Sequence, residues 1–207
     1  GNSQRRLREL ITCFRTRMDP QGLLHALAEI SAGFLDRTGI ALAFTNRLPA
    51  LYLGPEREIE VLHIVQEALA NICRHANAAN ARLLLDRTGD DYRIVVEDDG
   101  AGLDPRRLKQ VAIERGLLTP LEAVRLTDEE ASSLITLPGF TTTAETTEVS
   151  GRGVGMDVVK HAVEATGGLL SIAGRRGRGA RFELVLPPTV ALVQTYVVRA
   201  NGVSFAV

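Results

Sequence analysis

The sequence predicts an α/β fold, a two-layer sandwich in which a mixed β-sheet carries helices on one face. Long stretches with apolar residues at helical spacing are interspersed with short apolar runs that are typical of strands. The predicted order is helix, strand, helix, strand pair, loop, helix and strand pair. This order lacks the strict strand–helix alternation of a doubly wound fold. It favours a mixed sheet instead.

Punctuating residues set the bounds of these elements. Pro near the start and Gly at the end mark helices, and Thr88-Gly89-Asp90-Asp91 between two apolar runs marks a β-hairpin. Residues 138–155 have almost no apolar period and predict a mobile loop. The predicted elements are helices over 5–18, 20–38 and 55–78, strands over 40–45, 81–86 and 92–98, mixed helical patterns over 104–137, a helix over 154–166, and strands over 169–174 and 181–187.

Composition limits the classes of function. A chain of 207 residues with 45% apolar residues suits one main domain plus an appendage. A formal net charge of −1 creates no field that would attract nucleic acid or a membrane surface. Cys13 and Cys73 lie in apolar helical patterns, so we expect buried free thiols and a reducing compartment, by default the cytoplasm. No apolar run approaches the roughly 20 residues that span a bilayer.

The first chemical motif lies on the long predicted helix. Glu67, Asn71 and His75 follow each other at four-residue spacing, which places them on one polar stripe. An Asn carbonyl oxygen can bind Mg²⁺, and a carboxylate one turn earlier can polarise an attacking group. A merely solvated helix face is the alternative interpretation.

The second motif, Asp98-Asp99-Gly100-Ala101-Gly102, follows an apolar strand. A carboxylate that leaves a strand can accept a hydrogen bond from an exocyclic amine, and glycines allow the backbone to approach a flat ring. A tight turn is the alternative interpretation, because Asp and Gly are common in turns.

The third motif, Gly151-Arg152-Gly153-Val154-Gly155, precedes a predicted helix. Glycines there expose backbone N–H groups that can bind phosphate oxygens at a helix N-terminus. A Rossmann dinucleotide site is disfavoured because no apolar strand precedes the motif. A Walker site is disfavoured because no Gly-Lys-Ser/Thr follows it.

Taken in order, these motifs resemble the N-box and glycine boxes of the GHKL ATPases, which have the Bergerat fold. The resemblance implies the ATP-binding domain of a histidine kinase, which transfers the γ-phosphoryl group of Mg-ATP to a histidine on a separate domain. Residues 93–207 resemble the chemotaxis kinase CheA, whereas residues 5–92 resemble sensor kinases of the NarX class. The chain is therefore interpreted as a hybrid, either natural or chimeric.

The resemblance also implies a division into domains. Residues 1–18 would be the remnant of a dimerisation-hairpin helix, 19–187 the ATP-binding catalytic domain, and 188–207 a linker with the truncated start of a coupling domain. The implied partners are ATP, a phosphoacceptor domain, an adaptor or receptor at the coupling domain and, indirectly, a response regulator. No contact with nucleic acid or a membrane is expected of this segment.

The resemblance assigns roles residue by residue. Asp98 would bind the adenine amine, Asn71 would hold Mg²⁺, and Glu67 would be the polarising residue, although CheA has His at that position. Arg107 or Lys109 would be a basic contact after the first glycine box. The remaining implied nucleotide contacts are His75, Gly100, Gly102, Thr141, Gly151, Gly153, Val154, Gly155, Met156 and Gly179, with Gly177 in the last glycine box, where Ala180 replaces the usual Thr.

A phosphoacceptor histidine is not expected in this chain, because none of its four histidines, His25, His63, His75 and His161, has the sequence context of an acceptor. Two other functions stay open at this point. One is a binding module in which the nucleotide only orders the loop for assembly. The other is a serine kinase of the anti-sigma type, which the CheA-like residues disfavour.

Overall fold

The sheet of the computed structural model has five strands, and the model describes residues 22–138, 140, 156–165, 167–188, 197–200 and 203–206. Its strands are β1 (Ala41–Asn46), β2 (Asn80–Thr88), β3 (Asp91–Asp98), β4 (Leu169–Gly174) and β5 (Ala180–Leu186). They lie in the order β1-β2-β3-β5-β4. Strand β1 runs parallel to β2, and the other neighbours are antiparallel. The predicted mixed sheet is confirmed.

Seven α-helices are described in these residues. They are α1 (Leu23–Ala32), α2 (Phe34–Thr38), α3 (Pro55–Asn71), α4 (Pro105–Glu114), α5 (Pro120–Arg125), α6 (Asp128–Ser133) and α7 (Met156–Ala165). A π-helical turn, Ile72–Ala76, extends α3, and a 3₁₀ turn, Leu134–Thr136, follows α6. Strands β6 (Val197–Ala200) and β7 (Val203–Ala206) pair separately as an antiparallel hairpin. None of the described helices is long and apolar enough to cross a bilayer.

The core lies between one face of the sheet and the helices α1, α3 and α7. Alternate strand residues point inward, and several are fully buried: Leu83, Leu85, Tyr92, Ile94 and Leu184. They share one apolar cluster with helical side chains, including Leu27, Leu62, Val65, Leu69 and Val163. Removing this surface from water stabilises the fold by about 25 cal/mol per Å². Ile59, near the start of α3, is 39% exposed, although its spacing predicts the buried face of the helix.

The opposite face of the sheet carries ion pairs instead of helices in its central strands. Arg93 of β3 donates to both carboxylate oxygens of Asp86 at 2.7 and 2.6 Å. Arg181 of β5 bridges Glu97 at 3.2 Å and Glu183 at 2.6 Å. Long charged side chains bury the apolar atoms beneath them along their stems, which fits the near-complete burial of Leu84 and Val95 in this face.

The predicted helix over 20–38 is two helices, which corrects its length. The break falls at Gly33 between α1 and α2. There the guanidinium of Arg37 occupies the space that a Cβ on Gly33 would fill, and it donates to the carbonyl of Ile30 at 2.8 Å. A side chain that inserts beside the backbone and takes a helical carbonyl interrupts the regular ladder.

The mixed helical patterns over 104–137 form α4, α5 and α6. Two capping boxes, Thr119 with Glu122 and Thr127 with Glu130, begin α5 and α6. These helices enclose a small second core of Leu108, Ala112, Ala131 and Leu134. The predicted helix over 5–18 and nearly all of the predicted loop over 138–155 lie outside the described residues.

Candidate functional site

Asp98 lies at the end of β3, where its side chain is fixed by two backbone amides. Its Oδ1 accepts from Gly100 N at 2.8 Å and its Oδ2 from Ala180 N at 3.3 Å. Partial burial raises the pKa of Asp98, the two amide bonds oppose that shift, and the charge of Asp99 adds to it. Each carboxylate oxygen has two lone pairs, so the group keeps acceptor capacity for a donor on a ligand.

Asp99, the next residue, is directed towards the start of β2 instead. Its Oδ1 accepts from the backbone amides of Ala79 and Asn80, both at 2.9 Å, and its Oδ2 accepts from Asn80 Nδ2 at 2.7 Å. These hydrogen bonds lower the pKa of Asp99. Asp99 therefore anchors the loop that begins at Asp98 to the neighbouring strand.

Glycines allow three backbone segments to meet beside Asp98. A Cβ on Gly100 would overlap the carbonyl of Ala76, and one on Gly102 would overlap the carbonyl of Arg175. A Cβ on Gly179 would overlap the carbonyl of Asp98 itself. Gly102 and Gly179 also have φ of +69° and +76°, which glycine adopts without strain. At all three positions, backbone atoms of this chain leave no room for a Cβ, so the residue must be glycine.

Backbone hydrogen bonds join the same segments. Gly179 N donates to Gly100 O at 2.9 Å, Gly177 N to Ala101 O at 2.7 Å, and Ala101 N to Ala76 O at 2.6 Å. The loop after β3, the turn before β5 and the end of the π-helical turn thus form one unit, which we call the glycine junction (residues 76, 98–102 and 175–180). Its rigidity fixes the position of the Asp98 carboxylate.

On α3, Glu67 and Asn71 are brought together by Arg74. The Nη1 of Arg74 donates to Glu67 Oε1 and to Asn71 Oδ1, each at 3.2 Å. The buried Nε of Arg74 makes no hydrogen bond among the described residues. Arg74 is a site residue that the sequence motifs do not indicate, although its spacing of three residues from Asn71 and seven from Glu67 places it on the same helical stripe.

His75 lies in the π-helical turn, where the wider helix changes the regular four-residue stripe. Its side chain is exposed. Desolvation and the nearby charge of Arg74 both lower the pKa of His75, so the neutral ring prevails near neutral pH. Among the described residues, no hydrogen bond or ion pair joins His75 to Glu67 or Asn71.

The first residue of α7 meets this group of α3. Asn71 Nδ2 lies 3.6 Å from the sulfur of Met156, within the range of a weak N–H···S contact. This contact brings the start of α7 next to Asn71, and the third motif immediately precedes Met156 in the chain. Five predicted phosphate contacts, Thr141, Gly151, Gly153, Val154 and Gly155, lie outside the described residues.

The two predicted basic contacts on α4 differ in their surroundings. Lys109 Nζ donates to the carbonyl of Leu126, just after α5, so its ammonium holds α5 against α4. Arg107 is exposed in the first turn of α4, and its backbone amide donates to Asp104. Unlike the side chain of Lys109, that of Arg107 has no partner among the described residues.

A family model matches this arrangement. The model of the histidine kinase-, DNA gyrase B-, and HSP90-like ATPases matches residues 56–190, which is more than half of the chain. The chain belongs to this family. The matched range contains all of α3 but Pro55, the glycine junction and α7, so the candidate site lies within it.

Relatives within the family are regulatory kinases and related proteins. The chain is 49% identical over 111 residues to the gliding motility regulatory protein of Myxococcus xanthus, covering 54% of this chain and 14% of that protein. It is 39% identical over 120 residues to chemotaxis protein CheA of Bacillus subtilis, covering 58% and 18%. The chain thus spans less than a fifth of the length of these relatives. The predicted resemblance to CheA is confirmed, and the NarX-like half stays a prediction.

Solved structures of histidine kinases share the fold. The catalytic domain of the histidine kinase ThkA superimposes on this chain with a TM-score of 0.54 and 15% identity. The match covers 80% of this chain and 91% of that domain. The histidine kinase domain of the Erythrobacter litoralis EL346 blue-light activated histidine kinase matches with a TM-score of 0.52 and 17% identity. That match covers 81% of this chain and 65% of the other chain. At such identity these similarities concern the fold alone.

Proposed function

We propose that this domain binds Mg-ATP and donates the γ-phosphoryl group to a histidine on a separate phosphoacceptor domain. The observation that carries the proposal is the carboxylate of Asp98, half-buried, fixed by Gly100 N and Ala180 N, and still able to accept. An acceptor held in this way suits the exocyclic amine of adenine. The histidine kinases among its relatives favour phosphoryl transfer as the chemistry, and ShkA, which shares the fold, has been solved with the ATP analogue AMPPNP.

The residues near Asn71 fit the triphosphate end of the nucleotide. Asn71 Oδ1 is a neutral oxygen of the kind that Mg²⁺ accepts, and the α7 N-terminus lies beside it through Met156. The Nε of Arg74, buried and without a hydrogen bond, offers a donor for an anion. When bound, Mg-ATP supplies the transferable phosphoryl group and the metal charge that neutralises it.

The chain's own residues would act by positioning. Asp98 holds the base, and the glycine junction keeps Asp98 rigid. Glu67 would polarise the attacking group through Oε2, since the ion pair with Arg74 at 3.2 Å engages only Oε1. Gly151 to Gly155 would bind phosphate oxygens through backbone amides.

We also propose the wider assignments as interpretations of the family resemblance. Residues 1–18 and 188–207 would flank the catalytic domain as a hairpin remnant and as the start of a coupling domain for an adaptor or receptor. The β6–β7 hairpin supports strand structure in the second of these segments. The free thiol of Cys73 suits a reducing compartment, and thus the cytoplasm. Contrary to the expected full burial, Cys73 is only partly buried.

A nucleotide titration with and without Mg²⁺, followed by transfer to an isolated phosphoacceptor domain, tests the proposal. We expect ATP binding, phosphohistidine on the acceptor, and no phosphohistidine on this chain alone. ATP binding without any transfer would replace the kinase with a nucleotide-gated binding module. The absence of ATP binding by the folded domain would overturn the proposal as a whole.

The Asn71→Ala variant tests the metal assignment separately. We expect metal-free ATP binding to persist while the increase in affinity on adding Mg²⁺ disappears. The matched control is Asn46→Ala, because Asn46 lies at the far end of β1. An unchanged Mg²⁺ effect in Asn71→Ala would remove Asn71 as the metal ligand.

A further inference from the structure

The glycine junction carries a concentration of arginine on its solvent side. Arg106 and Arg107 begin α4, Arg175 and Arg178 lie in the turn before β5, and all four are exposed. We call these four side chains the arginine rim. None of them makes a side-chain hydrogen bond or ion pair in the part of the chain that the structure describes.

One carboxylate shows that the two halves of the rim are neighbours. Asp104 Oδ1 accepts from the backbone amides of Arg106 and Arg107 at 3.0 and 3.3 Å. Asp104 Oδ2 pairs with Arg176 at 3.7 Å, in the same turn as Arg175 and Arg178. Asp104 therefore links the two halves of the rim, and its charge is already shared between a helix N-terminus and a fifth arginine.

The other acid groups of the junction do not neutralise the rim. Asp98 accepts inside the junction from Gly100 N and Ala180 N. Asp99 accepts from Ala79 and Asn80 on the side of β2. Arginines on the sheet face are paired by contrast, as in Arg93 with Asp86 and Arg181 with Glu183. A cluster of like charges without counter-charges repels itself, and this cost is removed when an anionic partner binds.

From this contrast we infer that the arginine rim is a docking surface for an acidic segment of a protein partner. Guanidinium groups bind carboxylates through paired N–H donors. No aromatic residue occurs in residues 98–110 or 174–180, so the stacking platforms of single-stranded nucleic-acid sites are missing from the rim itself. Leu103 and Leu108, which flank Arg106 and Arg107 in the chain, both pack into apolar clusters, so neither offers a side chain for insertion into a membrane.

This inference goes beyond nucleotide binding and does not depend on the kinase activity. Because Arg175 and Arg178 belong to the glycine junction and Arg106 and Arg107 follow it closely in the chain, a docked partner would lie next to the proposed adenine end of the site. Electrostatic docking of this kind raises the association rate and weakens steeply as salt is added.

The test measures binding of a fluorescein-labelled decaglutamate peptide by anisotropy at low salt. The variant is Arg175→Glu with Arg178→Glu, and the matched control is Arg47→Glu with Arg125→Glu, which makes the same charge change at exposed arginines elsewhere. We expect about a tenfold or greater loss of affinity in the rim variant and less than about twofold in the control. Thermal unfolding of both variants verifies that they are folded.

Three results would overturn the inference. The first is equal loss of peptide affinity in the rim and control variants. The second is tighter binding of oligothymidine of equal charge, or of phosphatidylserine vesicles, than of decaglutamate. The third is a rim variant that loses ATP affinity and keeps peptide affinity, because the rim would then serve the nucleotide phosphates.

Discussion

Asp98 and Asp99 are adjacent in the chain and have opposite environments. Asp98 is half-buried, and its burial raises its pKa despite two amide hydrogen bonds. Asp99 is exposed, and hydrogen bonds from Ala79 and Asn80 lower its pKa. Chain geometry explains the difference, because Asp98 ends β3 and successive side chains of an extended chain point to opposite sides. One carboxylate is kept available for a ligand, while the other holds the loop in place.

This difference has opposite consequences for stability. A folded-state pKa above the usual 3.8 means that the ionised form of Asp98 is disfavoured, so stability is lost as the pH rises through that pKa. A folded-state pKa below 3.8 means that ionised Asp99 stabilises the fold, and its contribution is lost as the pH falls through that pKa. The protein thus retains an unfavourable carboxylate at a position where the proposed function needs one.

The largest expected effect is on nucleotide affinity when Asp98 is removed. Asp98→Ala leaves the adenine amine without its acceptor, which costs about 1–3 kcal/mol or more, roughly 5- to 150-fold in affinity. Calorimetric titration with ATP measures the loss, and Asp90→Ala in the exposed hairpin turn is the control. Full ATP affinity in a folded Asp98→Ala protein would mean that the two aspartates do not differ in function.

A second large effect separates the two glycines of the turn before β5. Gly177 and Gly179 both have positive φ, of +71° and +76°, so either change to Ala brings a backbone penalty of roughly 1–2 kcal/mol. A Cβ on Gly177 meets nothing within 4 Å, whereas one on Gly179 overlaps the carbonyl of Asp98. We expect Gly179→Ala to lower the free energy of unfolding by about 1–3 kcal/mol more than Gly177→Ala, as measured by denaturant titration. Equal losses would show that the junction is not tightly packed.

A smaller effect distinguishes the two aspartates by the size of the stability change. At neutral pH we expect Asp98→Asn to lower the unfolding temperature only slightly, because the loss of one of its two backbone hydrogen bonds, from Gly100 N or Ala180 N, is offset by the removal of a disfavoured charge. Asp99→Asn should lower it more, because an amide cannot accept from all three donors of Ala79 and Asn80 and a stabilising charge is also lost. Thermal unfolding monitored by circular dichroism measures both, and an equal or larger decrease in Asp98→Asn would contradict the contrast.

The smallest effect concerns the pH dependence of ATP binding. Because the pKa of Asp98 is raised, acidification should weaken ATP binding at a pH above that expected for an ordinary aspartate. Asp99→Asn should move this decline to lower pH, since the charge of Asp99 contributes to the raised pKa of Asp98. The profile is measured by fluorescence titration above the acid unfolding range of each protein. A decline unmoved by Asp99→Asn would mean that the two carboxylates are not coupled.

Apolar periodicity was enough to predict the sheet, the long helix and the hairpin, because each depends on local spacing and turn residues. The order of the polar motifs was enough to predict the family. Local patterns could not reveal contacts between distant segments. The packing of Gly179 against Asp98 and of Gly100 against Ala76 depends on the tertiary fold. From the sequence, glycines near Asp98 are expected to make room for a flat ring. In the structure, backbone atoms of this chain occupy the space beside them.

Two further differences have the same origin. In the structure, Arg74 donates hydrogen bonds to both Glu67 and Asn71. The third member of this polar group is therefore Arg74, whereas the predicted stripe had His75. Gly33 interrupts a continuous helical pattern because Arg37 folds back onto the carbonyl of Ile30. In both places an arginine determines the local structure. Periodicity shows which residues lie within its reach, but not which of them its side chain binds.

Base selectivity tests the account most directly, because it probes the Asp98 carboxylate without changing the protein. Calorimetric titrations with ATP and with GTP, both with Mg²⁺, compare an amine with a carbonyl oxygen at the same position of the purine. The account predicts that GTP binds at least about tenfold more weakly, because its oxygen would face a carboxylate that accepts and cannot donate. Equal affinities for ATP and GTP would contradict the claim that Asp98 recognises the base.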